Sequence, residues 1–103
     1  MIDAAAAALA TAAWIAGAPL SEPRTEVAAA PLGQRIVAVG GFLASGGNSR
    51  RVDAYDPARD SWTRLADLPV SVDHAAAASW RGRLVVVGGY GADRTPPPRR
   101  LSL

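Results

Sequence analysis

IVAVGG at residues 36–41 and LVVVGG at residues 84–89 are two writings of one phrase, 48 residues apart (84 − 36 = 48). Four consecutive apolar residues bounded by turn signals suit a strand buried on both faces. Paired glycines end such a strand, because they reach backbone angles closed to other residues and let neighbouring chain approach closely. Outward from this phrase the same interval recurs: Trp14 and Trp62, Arg35 and Arg83, Phe42 and Tyr90, and the runs Ala28–Ala30 and Ala76–Ala78 are all 48 apart. Alanine matches carry little weight in a chain so rich in alanine, but the Trp and Gly-Gly matches do. Self-similarity at a period of this length marks a repeat architecture, in which each unit buries its apolar faces against its neighbours.

One period reads as four strands. Val27–Ala30 is a short small-residue strand, a turn follows at Leu32-Gly33-Gln34, and Ile36–Val39 is the buried strand ended by Gly40-Gly41. A polar loop, Ala44–Arg50, leads into Val52–Tyr55, whose alternation predicts a half-exposed strand. Asp56-Pro57-Ala58-Arg59-Asp60 is a turn, with proline pre-setting φ at its second position, and Trp62–Leu65 is the fourth strand. The second period opens alike, with His74–Ser79, a turn at Trp80–Arg83, and Leu84–Val87 ended by Gly88-Gly89. After Tyr90 the chain reads GADRTPPPRRLSL, in which Arg99–Leu103 offers at best a third strand, and no Trp-bearing fourth strand follows. The expected organisation is an Ala-rich segment over 1–13, repeats over 14–91 with a complete unit at 26–65 and a partial one at 74–103, and a Pro/Arg-rich loop with a possible edge strand over 92–103.

Composition removes several kinds of chemistry. The absence of Cys excludes disulfides, thiolate metal sites and a cysteine nucleophile. All 11 basic residues are Arg, set against nine acidic ones, and a net charge of +2 makes no field suited to nucleic acid. The first eighteen residues, MIDAAAAALATAAWIAGA, are too short and Ala-rich to span a membrane. Asp3 in place of a basic start, and Pro19 directly after Ala16-Gly17-Ala18, favour a cytoplasmic chain over a secreted one, and a short Ala-rich helix fraying into a strand near Trp14.

A strand ending in Gly-Gly, followed by Tyr55 and Trp62 in the phrase YDPARDSW, resembles the kelch-repeat family. Together with PRTEV at 23–27 and DLPVSVDHAAA at 67–77, the chain looks most like bacterial kelch-containing proteins over residues 14–91. The resemblance implies an all-β fold of β-propeller blades, in which Gly40, Gly41, Gly88 and Gly89 close inner strands while Tyr55, Trp62 and Trp14 pack within and between blades. It departs from the pattern at Val72, where Arg24 would recur, and in the second repeat's missing Tyr and Trp. Closed propellers take about four to eight blades. Two cannot close a ring, so the expectation is part of a longer propeller, or a homo-oligomer in which Trp14 completes a neighbour's last blade.

What the resemblance implies for function is a non-catalytic module that binds protein or small ligands and carries no cofactor. The alternatives are an enzyme similar to sialic-acid mutarotase, using Glu26, His74 and Arg24 as acid, base and arginine, or a piece with no activity of its own. A galactose-oxidase-like copper site is excluded for want of Cys. Glu26 and His74 occupy one repeat position, and Arg24, Arg50 and Arg51 add positive charge nearby, so these five are the candidate ligand contacts. Against that stand a structural role for Glu26 and His74 at a strand start, and simple solvation for Arg50-Arg51 and Arg99-Arg100. GGNSRR lacks the spacing of a phosphate loop, and Pro96-Pro97-Pro98 lacks PxxP spacing. Trp80 alone among the tryptophans stands outside the periodic framework.

Overall fold

A computed structural model of the chain describes residues 13–93 and 100–102, and all regular structure among them is strand. The strands are β1 (Arg24–Thr25), β2 (Ala28–Leu32), β3 (Arg35–Val39), β4 (Phe42–Leu43), β5 (Val52–Asp56), β6 (Ser61–Arg64), β7 (Ala76–Trp80), β8 (Arg83–Val87) and β9 (Arg100–Ser102). β2-β3-β5-β6 form one antiparallel sheet in chain order, β7-β8-β9 form a second, and β1 pairs with β4 in a small ribbon. This is the meander of a propeller blade, followed by most of another. The expected Ala-rich helix at the N-terminus and the Pro96–Pro98 stretch lie outside the described residues.

The 48-residue period is carried into the ladders. Ala28 faces Val39 as Ala76 faces Val87, and Ala38 faces Asp53 as Val86 faces Leu101. β9 starts 100 − 52 = 48 residues after β5, so the second sheet repeats the first through its third strand. The ribbon repeats too: Thr25 pairs with Phe42, and Asp73 bridges to Tyr90.

Because side chains alternate along a strand, each sheet has two faces. Ala28, Ala30, Val37, Val39, Val52 and Ala54 all point from the first sheet toward the second, where Leu84 and Val86 meet them; Leu68 and Val72, from the segment joining the sheets, complete the core. The single core therefore lies between the blades. The joining segment is pinned by backbone bonds: Gly41 N donates to Val72 O at 2.8 Å and Leu68 N to Arg50 O at 2.8 Å. Gly40, at φ 63°, packs so closely here that a Cβ would lie 2.4 Å from Val72 O. At Gly88, φ 72°, a Cβ would meet nothing within 4 Å among the described residues.

Two expectations need correction. Val52–Tyr55 is not half-exposed: Val52, Asp53 and Ala54 are all buried, because Asp53 turns toward buried arginine rather than water. Residues 13–20 form no strand, and Trp14 is fully exposed. A strand exists only beside a ladder, and none flanks Trp14 among the described residues.

Candidate functional site

The two candidate residues at one repeat position meet where the blades join. Glu26 (φ 53°) and His74 (φ 56°) each sit two residues ahead of their blade's first strand in the left-handed region, which bulky side chains rarely enter. His74 N donates to Glu26 O at 3.2 Å, so equivalent residues of successive repeats lie side by side. The His74 ring is held at both nitrogens: Nδ1 is 2.6 Å from Asp73 Oδ2 and Nε2 is 3.1 Å from Glu26 Oε2. Asp73 is buried, and its other oxygen accepts from Asn48 Nδ2, which also reaches Tyr90 O at 3.3 Å. Phe42 and Tyr90 stand nearly perpendicular to the His74 ring, with ring centroids 5.9 and 6.4 Å away. The result is a fixed, half-exposed imidazole beside Phe42 and Tyr90, with the exposed Glu26 carboxylate able to accept hydrogen bonds from a docked polar group. Among the described residues no three carboxylate or imidazole groups are placed to hold one metal ion.

The arginines fall elsewhere. Arg24's side chain is 0% exposed and donates to Asp53 Oδ2 at 2.7 Å and Arg51 O at 2.8 Å, while its Nε is buried without a partner among the described residues. Burial pulls the Arg24 guanidinium below its ordinary pKa, the attraction of Asp53 offsetting only part of that. Arg51 is moved the other way, up, chiefly by its hydrogen bonds to Asp53, and it also donates to Ser21 Oγ at 2.6 Å. Arg50 donates from Nε to Leu68 O at 3.0 Å, tying the loop to the joining segment. Thus Arg24, Arg50 and Arg51 all bond within this chain, Arg24 with its side chain buried.

A third cluster went unforeseen. Tyr55 and Trp62 pack at 5.1 Å, and the Tyr55 hydroxyl donates to Asp60 Oδ1 at 2.6 Å. Asp60 also accepts from Ala18 N at 2.7 Å, while Trp62 Nε1 donates to Ala18 O at 2.8 Å. Both polar groups of one peptide-bearing residue are thereby held by a single β5–β6 hairpin. YDPARDSW carried this signal, since Asp60 lies beside Trp62 at the hairpin's end.

A four-stranded meander whose first three strands recur 48 residues on, the two sheets face to face around a shared core, defines a propeller-type repeat protein. Residues 23–69 match the Kelch motif model. The chain belongs to the kelch-repeat family. It is 32% identical over 87 residues to Kelch-like protein 36 of Bos taurus, covering 80% of this chain and 14% of that protein. Kelch-like protein 35 of Homo sapiens is 39% identical over 79 residues, covering 74% and 13%. F-box protein AFR of Arabidopsis thaliana is 29% identical over 86 residues, covering 82% and 23%. The chain thus spans 13–14% of the length of the two Kelch-like relatives.

Proposed function

We propose that the chain is a non-catalytic interaction module whose Glu26–His74 junction contacts a segment of another protein. The observation that carries this reading is the His74 ring, clamped between two carboxylates yet half exposed, with Phe42 and Tyr90 against it. Side chains already fixed in place lose little freedom on binding, which favours affinity. The exposed Glu26 carboxylate suits a basic or amide group of the partner, and the aromatic rings suit an apolar one. The mutarotase-like alternative wants an arginine beside Glu26 and His74. Arg24's commitment to buried Asp53 supports binding over catalysis.

The test is a displayed peptide library selected on the whole chain. Selected peptides are expected to lose at least about tenfold in affinity, about 1.4 kcal/mol, on the Glu26→Gln, His74→Ala double variant. They should bind Arg59→Ala, altered on the exposed hairpin, as they bind the parent. Equal affinity for the double variant would overturn the assignment, and accelerated anomer exchange of sialic acid would favour the enzyme.

A further inference from the structure

We infer that the turn-bearing end of the two sheets is a second interaction surface, separate from the Glu26–His74 junction, and that it takes an extended acidic segment of a partner protein. Glu26 and His74 lie side by side and lead into β2 and β7, so the β2–β3 and β7–β8 turns both fall at the far end from them. In an antiparallel meander the first and third turns share one end, which adds the β5–β6 turn. The arginines sort by this division. Away from the turns, Arg24, Arg51 and Arg64 pair with Asp53 and Asp67, and Arg50 bonds Leu68 O. At the β5–β6 turn Arg59 faces Asp56 at 3.9 Å. Among the described side chains, Arg35, Arg81 and Arg83 have no carboxylate or carbonyl partner, and all three border the first turn of a sheet. The carboxylates described at this end are already engaged: Asp56 accepts from Ala58 N at 3.0 Å, and Asp60 accepts from the Tyr55 hydroxyl and Ala18 N. Positive charge here is left unanswered.

This openness does not come from a bare sheet face. Arg35 is in line with Val37 and Val39 on the face that packs against the second sheet, and it is nevertheless exposed. Arg83 is its equivalent 48 residues on, and Arg81 lies within the turn itself. Arg81 is also set in place: with φ at 49°, it carries its guanidinium 4.6 Å from the centroid of the Trp80 ring. A guanidinium stacked on an aromatic face keeps its N–H groups free in plane for a bidentate bond to a carboxylate. That gives a role to Trp80, the tryptophan outside the repeat framework. Spacing selects the ligand. Arg35 and Arg83 hold one position in successive sheets, and sheets packed face to face are about 10 Å apart. A polyproline II segment has three residues per turn and rises about 3.1 Å per residue, so carboxylates at i and i+3 fall on one side about 9 Å apart. Nucleic acid is the poorer fit, because it is bound by neutralising many phosphates, and three arginines on a chain of net charge +2 neutralise few.

The test is an NMR titration of the whole 103-residue chain with acetyl-Gly-Glu-Pro-Pro-Glu-Gly-amide at low ionic strength, reading backbone amide and arginine Nε–Hε signals. Saturable shifts are expected at residues 32–35 and 80–83, and they should vanish in about 1 M salt, where the Debye length is about 3 Å. Exposed ion pairs are each worth up to about fivefold in affinity. The Arg35→Gln, Arg81→Gln, Arg83→Gln triple variant is therefore expected to bind at least about tenfold more weakly, while Arg64→Gln at the other end binds as the parent does. Far-UV circular dichroism checks folding; if the triple variant loses its strand signal, Arg35→Gln and Arg83→Gln singly are expected to bind about two- to fivefold more weakly. The inference is overturned by an absence of saturable shifts, by shifts centred on Glu26 and His74, or by undiminished binding to the triple variant. An equal response to the Gln-Pro-Pro-Gln peptide also overturns it, as does tighter binding of a short oligothymidylate through the same arginines.

Discussion

Arg24 and Asp53 form a charged pair inside the first blade, and the second repeat carries Val72 and Leu101 at the same two positions. The second repeat thus writes two apolar residues where the first writes a charged pair, and exchanging them measures what burial of charge costs. Asp53 is 1% exposed and receives both Arg24 and Arg51. Asp53→Leu alone strands the Arg24 guanidinium, which among the described residues keeps its bond to Arg51 O and has no partner for Nε. Removing one member of a buried pair costs about 3–5 kcal/mol. Arg24→Val alone leaves Asp53 its bonds from Arg51 and is expected near the lower end, about 3 kcal/mol. The double variant strands neither charge, and replacing a buried pair with apolar residues is often neutral or stabilising by about 1–4 kcal/mol. Burial being the main cause of Arg24's lowered pKa agrees with that sign. Urea unfolding followed by tryptophan fluorescence reads the four corners of the cycle. With a slope of about 1–3 kcal/mol per M, a loss of about 3 kcal/mol moves the midpoint down by at least about 1 M. A double variant as unstable as either single one, or single variants within about 0.5 kcal/mol of the parent, would refute the reasoning.

The two glycines before the blade edges should differ. Both lose about 1–2 kcal/mol on substitution because of their left-handed backbone, but Gly40→Ala also drives a Cβ into Val72 O and should cost about 1–3 kcal/mol more than Gly88→Ala; equal urea midpoints would contradict the packing described. The clamp on Ala18 should have a pH window. Asp60 lies below its ordinary value of 3.8, first through the Tyr55 hydroxyl and then the Ala18 N–H, so its contribution is present above that value and is lost as pH falls through the lowered one. Tyr55 lies above its ordinary 10.0 through its bond to Asp60, so its contribution is present below 10.0 and is lost as pH rises through the raised one. Trp62 fluorescence should stay flat between these limits and change beyond both, and Asp60→Asn should remove both changes. A profile that is the same in Asp60→Asn would set the clamp aside.

Much of the fold was readable because the period fixes register: once IVAVGG and LVVVGG are aligned, every ladder partner of the second sheet follows from the first. Gly40-Gly41 and Gly88-Gly89 follow directly on β3 and β8, and Tyr55 packs on Trp62 within the first sheet. The burial of Asp53 was not readable, since alternation reports only which face a residue is on. What buries it is Arg24, 29 residues earlier in the chain, brought in by the folding of β1 against β4. The candidate site was half legible. The shared repeat position joined Glu26 to His74, but Asp73 and Asn48 reach it through loops whose course no local pattern encodes, and the left-handed backbone at 26 and 74 has no Gly, Asn or Asp to announce it.

That matched backbone has a genetic consequence. Residues 26 and 74 share one conformation, touch each other, and each lead into a five-residue strand of the same register. A recombination that joined Thr25 directly to His74, or inserted another 48 residues between them, would meet no strained junction. Unequal crossing-over at this point can therefore add or delete whole blades, leaving selection to act on ring size separately from the residues that shape each blade.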